Sequence, residues 1–154
     1  MVSNRTLMLK RIFAPGSDSF CTSLALFVLR LCLGLTMLLN HGLDKLKKFS
    51  DLSSGFPDPL HVGHTMSLVL VVFAEAGCSV LLVLGLVTRF GAFVSGINMA
   101  VAFFIVLKAA LSGEHSGELA LIYLAGYFAL LIAGPGRISM DAALFGGAKK
   151  EKGT

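Results

Sequence analysis

Charged residues are scarce in this chain. Asp, Glu, Lys and Arg make up 14% of its 154 residues, against 55% apolar residues and a mean hydropathy of +0.82. An ordinary soluble domain carries about 25% charge, so that class is excluded. Cysteine is thin as well: Cys21, Cys32 and Cys78 form no CxxC pair. There is no P-loop, Rossmann fingerprint, HExxH or nucleophile elbow, so neither a cofactor box nor a catalytic residue is expected. His61-x-x-His64 is metal-like in spacing only, with no accompanying ligand set, and no metal site is expected. Basic residues are not interleaved with aromatics and no recognition module is present, which argues against a nucleic-acid partner.

What the chain does have is four long apolar runs, over 23–43, 65–87, 90–111 and 117–133. Each approaches the roughly 20 residues that a helix needs to cross a bilayer. They predict an all-α fold: a polytopic membrane protein built as a four-transmembrane-helix antiparallel bundle. Pro135 closes the last and shortest run. Thr88-Arg89 leaves room only for a tight hairpin between the second and third. The first run is too long for a signal-peptide core and no small-x-small cleavage site follows it, so it is expected to stay as a helix.

Residues 1–22 form a basic leader and 134–154 a polar tail. With four spans both ends share one side. Arg5, Lys10, Arg11, Arg89, Arg137, Lys149, Lys150 and Lys152 fall there, and only Lys45, Lys47, Lys48 and Lys108 fall opposite. That bias predicts cytoplasmic termini.

Two ionisable residues, Arg30 and Glu75, lie inside the first two runs. A charge at such depth costs about 2.5–3.5 kcal/mol even on the most lenient scale, so it faces a partner or a wet cavity. Counted from the edges of the runs, the two lie roughly 10 and 18 Å deep, within a guanidinium's reach. An Arg30–Glu75 pair is expected, with Asn98 near it, serving either as a register device or as a binding site. Asn40, His41, Lys108 and Glu118 lie near the outer face, as cavity mouth or as interfacial residues. Tyr123 and Tyr127 share a face at i,i+4, for core packing or for stacking on a quinone-like ring. Helical spacing turns Cys32 away from Cys78, and both read as small buried hydrophobes. The small-xxx-small series Ala125, Ala129, Ala133 and the pair Gly91, Ser95 mark expected helix contacts.

An ordered series of short motifs runs through Leu29-Arg30-Leu31 with Gly34, then His41-Gly42-Leu43-Asp44-Lys45-Leu46, Glu75-Ala76-Gly77 and Leu84-Gly85-Leu86-Val87-Thr88-Arg89-Phe90. It ends with Gly134-Pro135-Gly136-Arg137-Ile138-Ser139-Met140-Asp141, so it covers roughly 25 to 145. In these motifs the chain resembles the DoxX family of small four-helix membrane proteins. Arg30, Gly42, Lys45, Glu75 and Arg137 match the family's polar or glycine positions.

The resemblance implies a bacterial inner-membrane protein associated with redox systems. In that setting the chain would be a non-catalytic accessory or anchoring subunit beside a soluble redox enzyme, with a quinone or lipid cavity near Arg30 and Glu75. Two alternatives stay open at this point: a quinone-linked oxidoreductase subunit, and a small transporter or channel that works as a homo-oligomer.

Overall fold

A computed structural model describes residues 20–113 and 116–146. Nearly all of the basic leader, Glu114-His115 and the Lys149–Lys152 end of the tail lie outside the described residues. Within them every regular element is helical. The helices are α1 (Phe20–Lys47), α2 (Phe49–Leu52), α3 (His64–Leu84), α4 (Thr88–Val106), α5 (Glu118–Ala133) and α6 (Met140–Phe145). With 28, 21 and 19 residues, α1, α3 and α4 are long and apolar enough to cross a membrane. The 16 residues of α5 span about 24 Å at 1.5 Å per residue, less than a hydrocarbon core of about 30 Å.

Local chemistry sets the boundaries. Helix α3 stops at Gly85 (φ +68°), where the Leu86 N–H bonds to Leu81 O at 2.9 Å and the Gly85 N–H to Leu82 O at 3.1 Å. Those two bonds close a helix over a left-handed residue. Val87 is left-handed too (φ +47°), a rare state for a β-branched side chain. Asp141 holds it there: its carboxylate accepts the Val87 N–H at 2.7 Å and the Thr88 N–H at 2.9 Å. The same carboxylate sits at the positive end of α4. Helix α4 ends at Val106, ahead of the expected 111, and Lys108 and Ala109 beyond it are left-handed. Helix α6 starts on Ser139, whose hydroxyl accepts from the Ala142 N–H at 3.1 Å.

The long helices close a ring in which α1 touches α3 and α5, and α4 touches α3 and α5. Leu33, Met37, Leu82, Met99, Tyr127 and Leu130 fill its centre. Gly91 and Ser95 face α3 and are buried, with the Ser95 hydroxyl donating to Ala74 O at 3.2 Å. The alanine series behaves otherwise. Ala125, Ala129 and Ala133 point out of the bundle, and the close approach on α5 is made by Gly126, where a Cβ would lie 2.7 Å from Leu33 Cδ1. Cys78 is buried but Cys32 is exposed, because Cys32 lies about 200° round α1 from the buried Arg30.

Three helices each contain a wide π turn: Leu38–Gly42 in α1, Phe73–Gly77 in α3 and Val101–Val106 in α4. Such turns recur at functional sites. Here two of them contribute walls to one cavity, and the third packs directly against its wall.

Candidate functional site

The contact that builds the site is backbone on backbone. Gly42, in the π turn of α1, lies so close to α3 that a Cβ there would be 2.7 Å from Glu75 O and 2.9 Å from Ala76 Cα. Only glycine fits. Lys45 follows three residues later on the same face, and its ammonium reaches Glu75 Oε2 at 2.6 Å. From α4, Asn98 donates through Nδ2 to Glu75 Oε1 over a long 3.4 Å. The carboxylate, 6% exposed, therefore meets a donor at each oxygen.

This trio sits against a cavity of about 500 Å³ between α3 and α4, within the roughly 300–1,000 Å³ usual for small-molecule sites. Its walls are apolar, with Val71, Ala74, Val94, Val101 and Ala102 among them. Leu70, Phe73, Ile97 and Val106 also line it, yet each is 46–49% exposed on the outer faces of α3 and α4. The cavity thus has a mouth at the apolar outer surface of the bundle. Phe56, Pro57, Pro59 and Leu60 from the α2–α3 loop cover one end.

That loop is tied down by Asp58. Its carboxylate accepts from the Ser67 hydroxyl at 2.6 Å, the Gly63 N–H at 2.8 Å and the Val62 N–H at 3.0 Å. The Ser67 bond, helped by the two amides, holds the Asp58 carboxyl below its ordinary range. His64 Nδ1 bonds Phe56 O at 2.6 Å, which engages one of the two loop histidines within the loop itself.

The expected Arg30–Glu75 pair does not form. Arg30 is fully buried, but it donates from Nη1 to Leu82 O at 3.0 Å and from Nη2 to Ile138 O. Leu82 lies seven residues beyond Glu75 on α3, about 10 Å along the axis. That distance separates the two charges. Arg30 stands over the Phe27 ring (5.7 Å to its centroid) and belongs to a second cluster, with Gly85, Ile138 and Asp141, that ties α1 and the facing ends of α3 and α4 to the C-terminal segment. Gly85 fits that cluster closely: a Cβ there would overlap the Arg30 guanidinium and lie 2.7 Å from Ser139 Cβ.

Of the other candidates only Asn98 lines the cavity. Tyr123 and Tyr127 stack in the core with ring centroids 6.0 Å apart, and His41 packs edge-on to Tyr123 at 6.2 Å. The Tyr123 hydroxyl donates to Thr36 Oγ1 at 2.7 Å. Asn40, Lys108 and Glu118 are exposed and take no part in the cavity. Lys45 and Asp141 stand in the family motifs quoted from the sequence, but neither reads as a site residue there, and sequence reasoning misses the partners they take. The i,i+3 spacing of Gly42 and Lys45 is the signal that could have directed Lys45 to Glu75.

Apolar helices of spanning length, a part-buried ion pair between two of them and a cavity with an apolar mouth define a helical integral membrane protein with a candidate ligand site. The DoxX family model matches residues 25–108, more than half of the chain, and the protein belongs to that family. It is also 33% identical over 114 residues to an uncharacterized protein of Haemophilus influenzae, an alignment covering 71% of this chain and 83% of that protein. No solved structure gives a significant match.

Proposed function

We propose that this DoxX-family protein is a non-catalytic accessory subunit that holds a quinone or another lipid in the α3–α4 cavity and supports a redox-linked enzyme at the membrane. The reading places it in a bacterial inner membrane as a multi-pass protein with cytoplasmic termini, and α5 makes the fourth crossing. The observation that carries it is the Lys45–Glu75–Asn98 group against an apolar cavity whose mouth is lined by Phe73 and Ile97, both half-exposed on the outer face. A mouth of that kind admits a lipid-soluble molecule directly from hydrocarbon, and the polar trio gives its head group a place to bind.

Native mass spectrometry of the purified protein tests the reading. Wild type is expected to carry a lipid or quinone adduct. Val101→Phe fills the cavity and is expected to lose the adduct while keeping its helical circular dichroism. An adduct of equal occupancy in Val101→Phe would place the molecule elsewhere and sink the proposal.

A further inference from the structure

Resting on that reading, we infer that the cavity selects an uncharged lipid whose head group carries a carbonyl oxygen, and discriminates against anionic lipids of the same chain. The argument starts from the charge on the walls. Lys45 and Glu75 are the cavity's ionisable residues, and at 2.6 Å they neutralise each other. An anionic head group accepting from Lys45 would stand beside the Glu75 carboxylate, so that one cation faces two anions, and drawing Lys45 off instead would leave Glu75 without its cation. Either course is unfavourable where the carboxylate side chain is only 7% exposed, although the ammonium side chain, at 21%, keeps some contact with its surroundings. A cationic head group meets the same obstacle in reverse, because both Glu75 oxygens already receive donors.

Hydrogen-bonding capacity then points to an acceptor. An ammonium has three N–H groups and a carboxamide two. Lys45 and Asn98 each direct one at Glu75, which leaves donors in excess at the polar end of the cavity. The 3.4 Å length of the Asn98 bond makes that amide the easier of the two to turn toward a ligand. The remaining polar side chain on the wall, Ser67, already donates its hydroxyl to Asp58. A carbonyl oxygen can accept from Asn98 and from a spare Lys45 N–H without disturbing the ion pair. The volume of about 500 Å³ accommodates a head group with the first part of a chain, and the mouth beside Phe73 and Ile97 lets the rest run into hydrocarbon.

Three probes with one chain length separate the possibilities: methyl oleate (uncharged ester), oleate (anion) and 1-octadecene (no head group). Each is titrated against the full-length protein in detergent, delipidated beforehand, with occupancy read by native mass spectrometry. Wild type is expected to take methyl oleate at least tenfold more tightly than oleate or octadecene. Asn98→Leu is expected to bring methyl oleate down toward octadecene. Glu75→Gln releases the Lys45 charge and is expected to reverse the order in favour of oleate.

Equal binding of all three probes by wild type, abolished in Val101→Phe, would keep the lipid cavity and overturn the head-group selection. Tighter oleate binding in wild type, or an order unchanged in Glu75→Gln, would overturn it too. Failure of every probe to bind wild type would overturn both readings.

Discussion

Replacing Gly85 by alanine tests whether Arg30 is held as tightly as the geometry indicates. Two costs add. The backbone at residue 85 has φ +68°, and a left-handed alanine costs about 1–2 kcal/mol. The new Cβ also falls on the Arg30 guanidinium, so the arginine must move and its bond to Leu82 O is lost. A hydrogen bond from a charged donor contributes about 1.5–3 kcal/mol. Together these give a loss of about 2.5–5 kcal/mol, large for a one-carbon change. The assay is reversible denaturant unfolding in mixed micelles, followed by helical circular dichroism. A double-mutant cycle with Arg30→Met isolates the second cost, because methionine leaves no guanidinium to displace. The pair is expected to be less destabilised than the sum of the singles by about 1.5–3 kcal/mol. A loss below about 0.5 kcal/mol, or strict additivity, would refute the reasoning.

Other perturbations reach the remaining parts of the fold. Asp141→Ala strips the partner from the Val87 and Thr88 amides and is expected to cost about 1–3 kcal/mol; hydrogen exchange should accelerate at those two amides first. Gly42→Ala puts a methyl 2.7 Å from Glu75 O, and such overpacking typically costs about 1–3 kcal/mol. It should also weaken the Lys45–Glu75 pair, seen as lower adduct occupancy in native mass spectra. Asp58 gives the pH dependence. Its folded pKa lies below the ordinary 3.8, so its stabilisation of the loop is complete above that value and lost as pH falls through the lower one. Limited proteolysis within 53–63 should therefore be flat from pH 7 to about 5 and rise below about 4; a rise already complete at about pH 5 would refute this role for Asp58.

The spanning helices are legible because a run of 20 apolar residues has few other uses, and α1, α3 and α4 overlie the first three runs. The intramembrane charges are legible for the same reason. Their partners are not. Counting depth from the edges of the runs puts Arg30 within reach of Glu75, which assumes helices that start from a common plane. In the structure α1 runs from Phe20 to Lys47 and slides along α3, so that Arg30 meets Leu82 while Lys45 meets Glu75. Lys45 reads as a loop residue in sequence because the apolar run ends at Leu43, although the helix continues through it. The cavity is the least legible feature. It depends on residues 56–60 folding back over α3 and α4, a path no periodicity records. Asp141 hides for a related reason: its partners are backbone amides 53 and 54 residues away, and backbone groups leave no mark on a sequence.

The Arg30–Ile138 bond spans 108 residues of chain, and that separation bears on biosynthesis. At about 5–20 residues per second, Ile138 leaves the ribosome on the order of 5–20 s after Arg30. Through that interval the guanidinium is made but lacks its second carbonyl, which is supplied only once α1, α3, α4 and α5 have been synthesised. Until then Leu82 O is the carbonyl open to it, so the C-terminal segment is the last part of the chain to complete the arginine's contacts.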